Sequence, residues 1–208
     1  MKNDKSLEKI ISDYFNKFSN SLEKLDKPKI IEAAKILFQA WKNNKIVYSV
    51  GCGGSASTAT HFAADLAKTA IVPGKKRFKA ISIVDNIPLV SAWTNDSGWA
   101  SVFSEQLEPW LLQDDVLVVF SVHGGVEKGP IGPWSQNLVQ AMNLARKRGV
   151  KIIGFSGFEG GAVGKMADVA IVVRQSQEPL ATPIIESAHI ALHHLLCCLI
   201  LKEMVRKS

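Results

Sequence analysis

Apolar positions recur along the first forty residues with the spacing of one helix face. Leu7, Ile10, Ile11, Tyr14, Phe15 and Phe18 fall at i, i+3, i+4, i+7, i+8 and i+11, which predicts an amphipathic helix over 5–20. Asp26-Lys27-Pro28 opens a second helix, with proline in its first turn, that runs through Ile30, Ala33, Ala34, Leu37, Phe38 and Trp41 to a stop at Asn43-Asn44. Two such faces need a surface to cover, on this chain or on a neighbouring subunit. From residue 45 the pattern changes to short apolar runs at 45–50, 78–83, 116–120, 150–155 and 169–173, each of strand length. The unbroken apolar run Val116-Leu117-Val118-Val119-Phe120 marks a strand buried on both faces. Helices are expected over 55–70 and over 135–148, the latter with Ser135 as N-cap and Gly149 as its stop. A long, mostly apolar helix is expected over 182–205.

Strands alternating with helices predict an α/β fold, a parallel sheet with helices on both faces. The 208 residues suit a single domain, with 1–44 as a helical extension and 45–208 as the α/β core. Ligands of such sheets bind beyond the carboxyl ends of the strands, which directs attention to the residues after 50, 83, 120 and 155. One of these places holds a Gly/Pro-rich stretch, 124–133, that reads as a long functional loop.

Charge changes this picture little. Lys and Arg number 25 against 19 Asp and Glu, a net charge of +6, but the basic residues are scattered in short groups such as Lys75-Lys76-Arg77 and Arg146-Lys147-Arg148. No basic stripe carries interleaved aromatics, so nucleic acid is not an expected partner, whereas a modest positive field favours a small anionic substrate. No apolar stretch is read as long enough to span a bilayer, and the charged N-terminus lacks the apolar centre of a secretory signal. Three cysteines, two of them adjacent, make no disulfide framework. A protein of a reducing cytoplasm, with no membrane partner, is expected.

The candidate chemistry lies in two places. Gly51-Cys52-Gly53-Gly54-Ser55 follows a strand and opens a helix, a turn whose N–H groups can face an anion or simply reverse the chain. On that helix His61 and Asp65 share a face, with Asp65 among Phe62, Ala63, Ala64 and Leu66. An ionised carboxylate in such surroundings needs a partner. The last helix carries Glu186, His189, His193 and His194 in an otherwise apolar run. Glu186, His189 and His193 fall on one helical face, His194 about 80° around from Glu186, and helix geometry does not choose which imidazole reaches a ligand. The fifth histidine, His123, sits in a ligand-facing loop.

Together these motifs resemble the phosphoheptose isomerases of the sugar isomerase (SIS) domain group. The likeness rests on Val50-Gly51-Cys52-Gly53-Gly54-Ser55, then after five residues His61-Phe62-Ala63-Ala64-Asp65-Leu66. Thr94-Asn95-Asp96, Gly157-Phe158-Glu159-Gly160-Gly161, and His189 and His194 five apart fall in the family's order. The resemblance implies a three-layer αβα sandwich with a five-stranded parallel sheet of flavodoxin-like type, assembled as a homotetramer. It also implies isomerisation of sedoheptulose 7-phosphate to D-glycero-D-manno-heptose 7-phosphate without an organic cofactor. Asp65 and His194 would be the acid–base pair. Cys52, Gly53, Gly54, Ser55, Asn95 and Asp96 would line the sugar, with Ser121, His123, Gly124 and Glu186 as further substrate contacts. His61, Asp65, Glu186 and His194 occupy the positions that hold one zinc ion per subunit in some members.

Three departures from the pattern bear on function. Asp65 stands where the family has Glu, a side chain shorter by one methylene. Glu186 replaces a Gln and adds a negative charge. The family's Ser-Thr-Ser-Gly-Asn-Ser phosphate loop reads Ser121-Val122-His123-Gly124-Gly125-Val126 here, keeping one hydroxyl, and extra residues follow it. An isomerase of a different sugar phosphate, and a non-catalytic SIS-type binding or scaffold protein, are the two rival expectations.

Overall fold

The structure, a computed structural model, describes residues 4–129, 132–175 and 178–206. In chain order, α1 (Asp4–Glu23) and α2 (Lys27–Lys42) lead into β1 (Ile46–Gly51) and α3 (Gly54–Ala64). Next come β2 (Lys79–Ser82), α4 (Ile87–Ser97), α5 (Val102–Leu107) and β3 (Val116–Ser121). The remainder is β4 (Val126–Gly129), β5 (Gly132–Trp134), α6 (Gln136–Lys147), β6 (Lys151–Gly157), α7 (Gly161–Met166), β7 (Val169–Val173) and α8 (Ala181–Arg206).

Five strands form one parallel sheet in the order β2-β1-β3-β6-β7, with Val47 beside Val116 and Val118 beside Ile153. This is the expected flavodoxin-like order, whose switch point lies between β1 and β3. Alternation along the strands divides the core into two layers. Val47, Val116, Val118, Phe120, Ile153 and Phe155 pack under α2, α3 and α8. Tyr48, Val50, Leu117, Val119 and Ile152 pack under α5, α6 and α7. The chain therefore leaves β1 toward one face and β3 toward the other, which puts the Gly51–Gly54 turn and the Ser121–Gly125 turn at the switch point where such sheets bind ligands.

The α2 start follows the sequence reading: Asp26 accepts a hydrogen bond from the Lys29 N–H at 3.2 Å, and Pro28 sits in the first turn. Elsewhere the structure corrects the expectation. The stretch 124–133 is not an open loop, because β4 and β5 pair as an antiparallel hairpin within it; Pro130 and Ile131 lie outside the described residues. Ser135 precedes α6 but adopts a left-handed conformation, φ 55°, and makes no side-chain cap; the Asn137 Oδ1 accepts from the Leu138 N–H instead. Helices α4, α5 and α7 were not foreseen. The last two are six residues each, too short to show a period, and α4 buries no residue. Finally, α8 is long and apolar enough, by length and composition alone, to cross a membrane, contrary to the expectation that no stretch is. It packs as a core helix, with Ile185, Ala188, Leu192, Leu196 and Ile200 set into the layer above the sheet.

Candidate active site

The site grows from the way α3 and α8 lie along each other. At the start of α3, Gly54 faces Glu186, and a Cβ on Gly54 would overlap the Glu186 carboxylate. Further along both helices His61 meets His194, Nε2 to Nε2 at 3.5 Å. These two meeting points show that the helices run side by side in the same direction. Glycine at 54 is thus a requirement of close approach as well as of the turn, since Gly53 before it takes φ +59°.

At Asp65 the α-helical ladder gives way to a π-helical stretch, Asp65–Thr69, closed by the Ala70 N–H donating to the Asp65 carbonyl at 2.8 Å. Such local widenings recur at functional positions because they redirect a side chain without ending the helix. The Asp65 carboxylate is thereby presented to three imidazoles. Its Oδ2 lies 3.6 Å from His61 Nε2, 3.5 Å from His193 Nδ1 and 3.4 Å from His194 Nε2. Its Oδ1 accepts a hydrogen bond from the Thr69 hydroxyl at 3.1 Å. His61 and His194 are half exposed and His193 is wholly buried, its ring edge against Phe62.

The three histidines of α8 have different fates. His189 is buried between Phe120 and Phe155, and its Nε2–H donates to the Ser156 carbonyl at 3.2 Å. Burial drives its pKa down to about 4, against the pull of that carbonyl, so it is a neutral core imidazole. His193 is also held neutral, its pKa lowered to about 4 by burial and by His194 and His61, with Asp65 opposing. Only His194 reaches from α8 to the accessible side of the cluster. The sequence left this choice open, and no signal in it marked His193 as a neighbour of Asp65.

The other predicted residues sit elsewhere. Glu186 is against Gly54, outside the group formed by His61, Asp65, His193 and His194, whose ligand atoms lie within 4.8 Å of one another. The expected metal set is therefore brought together at three positions, with His193 in the place where Glu186 was anticipated. Cys52 stands at the end of β1, half buried; the Asn137 amide donates to its sulfur at 3.2 Å. Burial raises the thiol pKa, opposed by the Asn137 hydrogen bond, which makes Cys52 a neutral thiol rather than a thiolate nucleophile. Asn137, fully buried, joins α6 to the β1 turn across the switch point and was missed from sequence, where an Asn at a helix start reads as a turn residue. Ser55 is buried in the first turn of α3, and Asn95 and Asp96 form an exposed pair in the last turn of α4, Nδ2 to Oδ1 at 2.7 Å.

The Ser121–Gly125 turn is closed on itself. Its Ser121 hydroxyl accepts from the Gly124 N–H at 3.0 Å, and the carbonyls of Gly124 and Gly125 take the Val163 and Ala162 N–H groups at the start of α7. His123 stacks on Phe158, ring centroids 5.0 Å apart, and burial lowers its pKa against the opposing effect of Glu178. Candidate residues thus fall into two groups, one at the carboxyl rim of the sheet and one along the α3–α8 seam. Gly54 and His61 are seven residues apart on one helix, about 10 Å along its axis.

The seam group can do two things chemically. A carboxylate and an imidazole 3.4 Å apart can share proton transfer to and from one carbon framework. The same atoms also suit zinc: two ligands on a tetrahedral ion with bonds of about 2.1 Å lie about 3.4 Å apart. His61 Nε2, Asp65 Oδ2 and His194 Nε2 form a triangle with sides of 3.4, 3.5 and 3.6 Å, one face of such a tetrahedron.

Comparison with known proteins gives a consistent set of relatives. A family described as SIS domain matches residues 13–157. The lincomycin biosynthesis protein LmbN of Streptomyces lincolnensis is 49% identical over 164 residues, which cover 79% of this chain and 58% of LmbN, so the chain spans less than two thirds of that protein. A phosphoheptose isomerase of Nitratiruptor sp. is 37% identical over 171 residues, 82% of this chain and 84% of that one. The solved phosphoheptose isomerase from Francisella tularensis shares the fold, with a TM-score of 0.80 at 24% identity over 97% of this chain and all of that one.

Proposed function

Since the chain belongs to the SIS domain family, we propose that it is a sugar-phosphate isomerase interconverting a ketose and an aldose. The observation that carries this reading is the approach of Asp65 Oδ2 to His194 Nε2, 3.4 Å, between helices 129 residues apart in sequence (194 − 65). In the forward direction Asp65 removes a proton from C1 while protonated His194 gives a proton to the C2 oxygen, producing an enediol. Asp65 then returns its proton to C2 and His194 takes the proton of the C1 hydroxyl, leaving the aldehyde. Each group ends as it began, and no organic cofactor is required.

The first substrate to test is sedoheptulose 7-phosphate, giving D-glycero-D-manno-heptose 7-phosphate. Relatives named phosphoheptose isomerase, of similar length, support it. A second reading, a sugar phosphate of different size or shape, draws on the Ser121–Gly125 turn. There only one hydroxyl is present, the Gly124 N–H is engaged by it within the turn, and a hairpin follows. The 49% identity to a lincomycin biosynthesis protein favours the same widening of the search. Zinc fits the triangle of His61, Asp65 and His194. If the ion kept a coordination position open, it would supply Lewis-acid stabilisation of the enediolate.

The apolar face of α1 supports assembly of several copies, a homotetramer in the family's manner. Leu7, Ile10, Ile11 and Phe15 are more than half exposed, whereas a monomer would cover such a stripe. Turnover of sedoheptulose 7-phosphate and of shorter and longer ketose phosphates, measured for wild type, Asp65→Asn and His194→Gln, tests the proposal. Wild-type turnover that falls at least about a hundredfold in each variant is expected. Turnover of none of the sugars, together with tight binding of a protein partner, would favour the scaffold role.

A further inference from the structure

A cavity apart from the seam carries charges that isomerisation does not use. It lies at the carboxyl edge of the sheet, where β6 gives way to Glu159 and the outermost strand, β7, to Arg174. Its volume is about 310 Å³. From α1 it receives Lys17, Asn20 and Ser21, spaced i, i+3 and i+4 on one helical face, and just past the helix end Lys24. Its shape is fixed by bonds between α1 and the exit of β7. The Gln175 Nε2–H group donates to the Lys17 carbonyl at 3.4 Å and to the hydroxyl of buried Ser21, which in turn donates to that carbonyl at 2.6 Å. Arg174 and Glu159 pair at 2.7 Å, but both side chains are largely exposed, a setting in which such pairs contribute little. Lys17 and Lys24 pair with no carboxylate among the described residues. The lining thus has two more positive than negative charges, and a concave surface concentrates their field.

We propose that this cavity is a second ligand site, separate from the Asp65–His194 cluster, and that it takes a small sugar monophosphate. The cations hold the phosphate. Arg174 gives one nitrogen to Glu159 and keeps the other N–H groups of its planar fork for phosphate oxygens, while Lys17 and Lys24 add point charges. The rest of the lining selects the body of the ligand. All seven residues around the cavity are polar or charged, so no aromatic or aliphatic face is offered to a nucleobase or an acyl chain. Asn20, the Gln175 side-chain oxygen and the Glu159 carboxylate instead supply donors and acceptors suited to hydroxyl groups. Glu159 also disfavours a di- or triphosphate, whose extra charge would meet its carboxylate. The cavity and the cluster share no residue, so the assignment stands apart from the isomerase reading.

Isothermal titration calorimetry of the full chain with glucose 6-phosphate, inorganic phosphate, glucose and AMP tests this, on wild type, the double variant Lys17→Gln/Lys24→Gln, and Glu159→Gln. Melting temperatures of the unliganded proteins check that the variants fold. Wild type is expected to bind glucose 6-phosphate, inorganic phosphate more weakly and glucose not at all, and to lose affinity as salt is raised. The double variant should lose one site per chain, or keep it at least about tenfold more weakly. Glu159→Gln should bind inorganic phosphate about threefold more tightly, a gain that misfolding does not produce. Should the double variant melt early, Glu159→Gln decides alone. No phosphate-dependent binding in wild type, a folded double variant with unchanged stoichiometry and affinity, or weaker phosphate binding in Glu159→Gln would overturn the proposal. AMP bound more tightly than glucose 6-phosphate would overturn the ligand class. If the seam also binds the sugar phosphate, wild type shows two sites per chain and the double variant one. If only the cavity binds, wild type shows one and the double variant none, so a failed isomerase reading leaves this test intact.

Discussion

His189 and His194, five residues apart on one helix, show how far environment outweighs residue type. His194 reaches the accessible side of the Asp65 cluster; His189 points into the sheet and gives its one N–H to the Ser156 carbonyl. With its pKa lowered from the ordinary 6.5 to about 4, folded His189 refuses a proton that the unfolded chain accepts. The sign follows directly. Above about pH 6.5 both states are neutral at this position and it contributes no pH dependence. As the pH falls from there toward 4 the unfolded state gains the proton first, and stability drops by up to about 3 kcal/mol. Denaturant unfolding of wild type and His189→Leu across pH 7 to 4 checks this: the wild-type curve should fall more steeply than the variant's, and parallel curves would remove the assignment.

The elements were legible from sequence wherever a period had room to repeat. The five-residue apolar run of β3 is buried along its whole length, and the helical periods of α1 and α2 end within a few residues of their observed limits. What sequence did not disclose was the pairing of glycine turns. Gly124, φ +71°, lies so close to α7 that a Cβ there would run into the Gly160 carbonyl, and Gly161 packs back on the His123 and Gly125 carbonyls. Such contacts are made by backbone alone and leave no side-chain pattern to read. For the same reason the stretch 124–133 read as a long loop, although its start latches β3 to α7 and leads into a hairpin. Gly124→Ala should therefore destabilise the fold by about 2–4 kcal/mol, combining a left-handed conformation with a backbone clash. Ser121→Ala, which removes one buried hydrogen bond, should cost about 1 kcal/mol. Chemical denaturation that found the two equal would argue that the latch is loose.

At the scale of the whole molecule, the candidate residues that the resemblance assigns to one sugar lie at separate places in the chain's own fold. The resemblance ordered them correctly along the chain, but order says nothing of depth. The Gly51–Ser55 turn lies at the rim and Asn95 and Asp96 in the last turn of α4, while Asp65 and His194 lie along the seam, with about 10 Å of α3 between Gly54 and His61. The exposed stripe of Leu7, Ile10, Ile11 and Phe15 on α1, the helix whose Tyr14 hydroxyl meets Ser187 of α8 at 2.8 Å, stands beside that seam. A second copy docked on this stripe so that its own candidate residues face the cluster would make each site a product of two chains. Mixed assemblies distinguish this arrangement from a site within one chain. Asp65→Asn disables the cluster and leaves α4 intact; Asp96→Asn alters the exposed Asn95–Asp96 pair and leaves the cluster intact. If sites are shared between copies, unfolding and refolding the two inactive variants together should restore turnover, because some sites then combine a normal cluster with a normal Asn95–Asp96 pair. Phe15→Glu, which places a charge in the apolar stripe, should abolish that restoration and shift the light-scattering mass toward a monomer. If the mixture stays as inactive as its parents while its mass shows mixed assembly, each chain must complete its site alone, with the sugar spanning rim and seam within a single subunit.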